Sequence, residues 1–206
     1  MDSPSGLLLT LLMLLIENSN SSSNEDRARC SAYTEQSISK CLKPMLDYAS
    51  KLQSETGAMQ FPVQGSDIFQ DLCRIYSEFK GCTHDVNCAS LSMDAVDASY
   101  GFMCGSGFDL FKKHAMCFAE VESLKEYIKC KIAASEEISD AQHLKGHDNN
   151  EQYFKALCSV MDGYLRCSHP IINEHCGNEA WELVTKVTKD SLRVTMPTCD
   201  MHNALL

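Results

Sequence analysis

Apolar residues recur along this chain at three- and four-residue intervals, the spacing that gathers them on one side of an α-helix. Ile68, Phe69, Leu72, Cys73, Ile75, Tyr76 and Phe79 form one such face, opened by the cap signal Ser66-Asp67. Phe111, His114, Phe118, Val121, Leu124 and Ile128 form a second, which reads as one long helix over about 108–133. Tyr153, Phe154, Leu157, Met161, Tyr164 and Leu165 form a third after Asn149-Asn150. Trp181, Val184 and Val187 begin a fourth after Gly177-Asn178. No run shows the two-residue alternation and hairpin turn of a strand. Ser54–Ser66, with two Gly and Pro62, and Ser139–Asn150 read as loops. The pattern predicts an all-α bundle of about five to seven helices.

The amino-terminal segment follows a different rule. Leu7–Ile16 is a continuous apolar run, LLLTLLMLLI, long enough for the core of a signal peptide and too short to span a bilayer. Met1-Asp2-Ser3 supplies no Lys or Arg ahead of it. The polar stretch Asn18–Asp26 comes next and is low in complexity. These features predict a signal peptide over 1–22, a disordered linker over 23–29 and a folded domain over 30–200. No later stretch is apolar for the ~18 residues that a membrane span needs. The expected location is outside the cell.

The cysteine count then sharpens the fold. All twelve cysteines follow the apolar run: Cys30, Cys41, Cys73, Cys82, Cys88, Cys104, Cys117, Cys130, Cys158, Cys167, Cys176 and Cys199. An even number in a chain bound for an oxidising compartment predicts up to six disulfides. None stands at the close spacing of a zinc site. Two segments look alike, Phe69–Cys88 (FQDLCRIYSEFKGCTHDVNC) and Phe154–Cys176 (FKALCSVMDGYLRCSHPIINEHC). Each starts Phe-x-x-Leu-Cys and reaches its second Cys nine residues on, with a His two residues after that. Either an internal duplication or two helices with the same packing needs would produce this, and the halves would be 30–135 and 150–200. Nine residues turn a helix by about 900°, so the two cysteines of each pair face opposite ways. Cys73 is therefore not expected to bond Cys82, nor Cys158 to bond Cys167.

Charge narrows the function. The net charge is −10. An acidic chain gains nothing from counterion release, so nucleic acid is not an expected partner. Tyr100–Gly107 (YGFMCGSG) resembles the calcium loop of secreted phospholipases A2, and His114 stands three residues before Cys117 as in that family. Ala115, however, occupies the position where those enzymes carry the carboxylate that completes the calcium site. The pair His84-Asp85 precedes the loop, which is the wrong order. His143 and His147 are four apart but fall in an expected loop. Ser106-Gly107 with Asp109 nearby meets part of the pattern for glycosaminoglycan attachment and reads as a turn. There is no zinc-protease helix, nucleophile elbow or phosphate loop. No catalytic, cofactor-binding or metal-binding residue is assigned, and no cofactor is expected. Asn20, in the sequon Asn20-Ser21-Ser22, is the candidate glycosylation site.

The stretch Cys73–Cys130 resembles the nematode secreted cysteine-rich domain of chondroitin proteoglycan 4. LCRIYSEFKGC (72–82) and SYGFMCGSGFDLFKKHAMC (99–117) carry the likeness. The chain is also similar to a related nematode module, domain of unknown function 19. Both resemblances imply an extracellular, helical, disulfide-bonded domain. The first implies eggshell or matrix association for members with glycan-bearing tails. The expected function is that of a secreted, non-catalytic structural or interaction protein whose partner is an unknown extracellular protein or glycan. A binding module for a lipid or other apolar ligand is the alternative, with Met and Phe side chains lining a cavity. A phospholipase A2-like hydrolase is the third.

Overall fold

The computed structural model describes residues 28–56, 66–144 and 150–205. The expected signal peptide, the linker up to residue 27 and Asn20 lie outside these residues. Among the described residues there are seven helices: α1 (Ala32–Thr56), α2 (Ser66–Cys82), α3 (Leu91–Tyr100), α4 (Phe108–Glu122), α5 (Lys125–Gln142), α6 (Asn150–Cys176) and α7 (Asn178–Thr195). A short 3₁₀ turn, His202–Ala204, follows. No strand occurs among the described residues; one isolated bridge joins Arg29 to Ala89. The all-α, disulfide-rich expectation holds.

Three of the four apolar stripes became core faces. Phe69, Leu72 and Phe79 of α2 are buried, as are Tyr153, Leu157, Met161, Tyr164 and Leu165 of α6. Trp181, Val184 and Val187 of α7 join them, with α7 starting at Asn178 behind Gly177, whose φ of 81° suits a residue without Cβ. Helix α1 adds a stripe of its own, Ile38, Leu42, Met45 and Ala49. Burying each large apolar side chain contributes about 1.5–3 kcal/mol. Helix α6 is the central element and packs against α4, α5 and α7; α1 packs on α2, and α3 on α7.

The second stripe requires a correction. The chain does not run as one helix over 108–133 but breaks at Ser123-Leu124, where Leu124 turns extended (φ −70°, ψ 135°). Phe111, His114, Phe118 and Val121 are buried as expected, whereas Ile128 is exposed. The reason lies in the bridges Cys117–Cys176 and Cys130–Cys167. Cys167 and Cys176 stand nine residues apart on α6, about half a turn out of phase, and so face opposite ways. One straight helix cannot lie against both sides of α6, so the chain carrying Cys117 and Cys130 has to bend between them. The loop expected from Ser139 also starts later, because α5 continues through Gln142. Ile138 and Ala141 are buried there and extend its core face.

All twelve cysteines are paired: Cys30–Cys88, Cys41–Cys82, Cys73–Cys104, Cys117–Cys176, Cys130–Cys167 and Cys158–Cys199. Cys73 and Cys82 take different partners, as do Cys158 and Cys167, which agrees with the helical-phase argument. The first six cysteines bond only among themselves, and so do the last six. Within each set the order is the same: first to fifth, second to fourth, third to sixth. Six cysteines allow 15 pairings, so two independent sets would agree about one time in 15. This regularity is what a duplicated six-cysteine module would leave. The bridges divide the chain between Cys104 and Cys117, whereas halves of 30–135 and 150–200 would cut across Cys117–Cys176 and Cys130–Cys167. The helices in corresponding places, α3 and α7, pack on each other. Ser99 of α3 and Ser191 of α7 meet there, both buried, with their hydroxyl oxygens 2.6 Å apart.

Candidate functional site

Residues 101–107 form consecutive tight turns between α3 and α4. The Cys104 N–H donates to the Tyr100 carbonyl at 2.8 Å. The N–H groups of Gly105 and Gly107 both donate to the Phe102 carbonyl, at 3.2 and 2.9 Å. The Gly105 and Gly107 carbonyls accept from Phe108 and Phe111. Four carbonyls of the segment, those of Tyr100, Phe102, Gly105 and Gly107, are thus engaged within the chain. Crowding explains the glycines: a Cβ on Gly105 would come within 2.6 Å of the Gly101 carbonyl oxygen, and one on Gly107 within 2.8 Å of the Phe102 ring.

His114 is engaged by an acidic partner. Its side chain is 10% exposed, and Nε2 lies 2.8 Å from Oε2 of Glu179, in the first turn of α7. Lys113 reaches the same carboxylate oxygen. These partners, Lys113 foremost, hold the Glu179 carboxyl below its ordinary range. The cluster ties α4 to the amino end of α7. Ala115 is buried in the core. His84 pairs with the adjacent Asp85 at 3.0 Å, with both side chains in solvent. His143 is exposed just past the end of α5, and His147 lies outside the described residues. Ser106 and Asp109 are exposed. No group of three metal-ligating side chains comes together among the described residues.

The least expected cluster is buried. Glu122, the last residue of α4, meets Lys131 of α5 at 2.7 Å, with the two side chains 5% and 8% exposed. The Tyr127 and Tyr164 hydroxyl oxygens lie 2.7 Å apart beside them, and Tyr127 also hydrogen-bonds Glu122. Burial pushes the Glu122 carboxyl up, against the pull of Lys131 and the Tyr127 hydrogen bond. Burial likewise raises Tyr127 and Tyr164 above the usual phenol range. Sequence reasoning missed this network. Its members sit on three helices, and Glu122 and Lys131 face each other only because the chain breaks between them.

A surface hollow of about 300 Å³ lies elsewhere, at the carboxyl end of α7. No helix among the described residues is long and apolar enough to cross a membrane.

Comparison with known proteins places this arrangement. No solved structure matches the chain. An uncharacterized protein of Caenorhabditis elegans is 45% identical over 148 residues, 72% of this chain and 65% of the relative's own length. The chain therefore aligns with somewhat under two thirds of that relative. The model of the family described as domain of unknown function (DUF19) matches residues 30–200, the span that runs from the first cysteine to just past the last. With that span matched and a nematode relative at this identity, the chain belongs to the DUF19 family.

Proposed function

We propose that this protein is a secreted, non-catalytic structural or interaction protein of the extracellular space. One observation carries the reading: all twelve cysteines are bridged and none is free. Such bridges persist in oxidising compartments and are rare in the cytosol. The apolar run Leu7–Ile16 supplies the matching export signal. The non-catalytic part rests on the engaged carbonyls of the 100–107 segment, on Ala115 and on His114 being held by Glu179. The protein's partner in this reading is an extracellular protein or glycan.

The test is expression of the full chain in a secreting eukaryotic cell. The expected result is release into the medium with residues 1–22 removed and no free thiol on alkylation. Retention inside the cell with reduced cysteines would overturn the location. Calcium-dependent release of fatty acid from phospholipid vesicles by the purified protein would overturn the non-catalytic reading.

A further inference from the structure

Helix α7 ends where Met196 leaves helical geometry, and the Cys158–Cys199 bridge fastens the following turn to α6. The chain then lays Met201 and Leu205 beside Leu192 and Met196, forming the floor of the 300 Å³ hollow. All four side chains are buried, so the floor is apolar and set by the core beneath it. Lys189 and Arg193 stand at its edge. They are four residues apart and so lie on one side of α7. Both are exposed, and neither makes an ion pair or side-chain hydrogen bond among the described residues. The next cation along the helix, Lys186, is by contrast matched by Asp190 at 2.8 Å. Asp200 also borders the hollow but is engaged in an interaction of its own.

An apolar floor with two uncommitted cations at its rim suits an amphiphile with an anionic head. A guanidinium accepts a carboxylate in a two-pronged, charge-assisted geometry that an alcohol or amine cannot reproduce. At about 300 Å³ the hollow lies at the small end of ligand pockets, so a short tail fits it. We infer that this hollow is a binding site for a medium-chain carboxylate, its tail on Leu192, Met196, Met201 and Leu205 and its head on Arg193 and Lys189. Octanoate, with eight carbons and two oxygens, is the matching probe.

This inference is independent of where the protein resides, so its failure would leave the proposed secretion untouched. The test is calorimetric titration of the oxidised full chain with octanoate, 1-octanol and octylamine. Saturable one-to-one binding of octanoate, about tenfold tighter than of either analogue, is expected. The double variant K189E/R193E changes only exposed side chains and is checked for unchanged helicity. It is expected to lose the preference for the carboxylate while retaining weak binding of octanol. Absence of saturable octanoate binding, equal binding of all three probes, or an unchanged preference in K189E/R193E would overturn the proposal.

Discussion

Replacing Lys131 by methionine keeps most of the length of the side chain and removes its charge, leaving the Glu122 carboxyl without its counter-ion. Glu122 is 5% exposed and Lys131 8%, so water cannot take the place of the missing ammonium. Breaking a buried pair at one side costs about 3–5 kcal/mol, because the desolvation of the surviving charge is no longer offset. In a domain of this size that corresponds to a fall in Tm of roughly 6–20 °C. The double variant E122M/K131M removes both charges and is expected within about 1 kcal/mol of the parent, since apolar side chains of similar volume avoid the desolvation penalty altogether. The pH dependence has a definite sign. Glu122 titrates above its ordinary 4.5 in the folded protein. Below about 4.5 its carboxyl is neutral in both folded and unfolded chains, and burial costs little. As pH rises from there through the raised folded value, the unfolded chain releases a proton that the folded chain keeps, and stability falls. K131M lacks the opposing charge, so its deficit is expected to be larger at pH 7 than at pH 4. Thermal unfolding at both pH values reads this directly. A K131M protein within about 1 kcal/mol of the parent at pH 7, or a double variant as unstable as K131M, would refute the reasoning.

Three other outcomes follow from the geometry. Gly163→Ala, at a helical site where an added Cβ meets nothing within 4 Å, is expected to stabilise by about 0.5–1 kcal/mol, whereas Gly105→Ala, with its Cβ 2.6 Å from a backbone oxygen, is expected to destabilise by about 1–3 kcal/mol; paired denaturant titrations would reveal the opposite signs. Ser99→Ala leaves the buried Ser191 hydroxyl without its partner and is expected to cost about 1–3 kcal/mol, while S99A/S191A is expected near neutral, which a double-mutant cycle measures. A non-reducing peptide map is expected to contain no bridge between any cysteine of Cys30–Cys104 and any of Cys117–Cys199; one such peptide would contradict the two-set pairing.

What the sequence determined by itself was local. The faces of α2, α6 and α7 were legible because a helix repeats every 3.6 residues, and burial of Leu72, Leu157 or Val184 needs no knowledge of what covers it. The same phase argument correctly kept Cys73 from Cys82 and Cys158 from Cys167. That Ala115 stands where a phospholipase-type loop would need a carboxylate was likewise legible in residue order. Tertiary structure decided the rest, because it depends on partners distant along the chain. All cysteines are chemically alike, so no spacing rule could choose Cys176 for Cys117 or Cys199 for Cys158. The break at Ser123-Leu124 carries no Gly or Pro; it exists because α6 presents two bridging cysteines on opposite sides. That same break turns Lys131 toward Glu122, and the Cys158–Cys199 bridge places Met201 and Leu205 beside Leu192. Periodicity fixes which side of each helix is apolar, whereas the pairing of those sides is set by loop closure and packing between segments tens of residues apart.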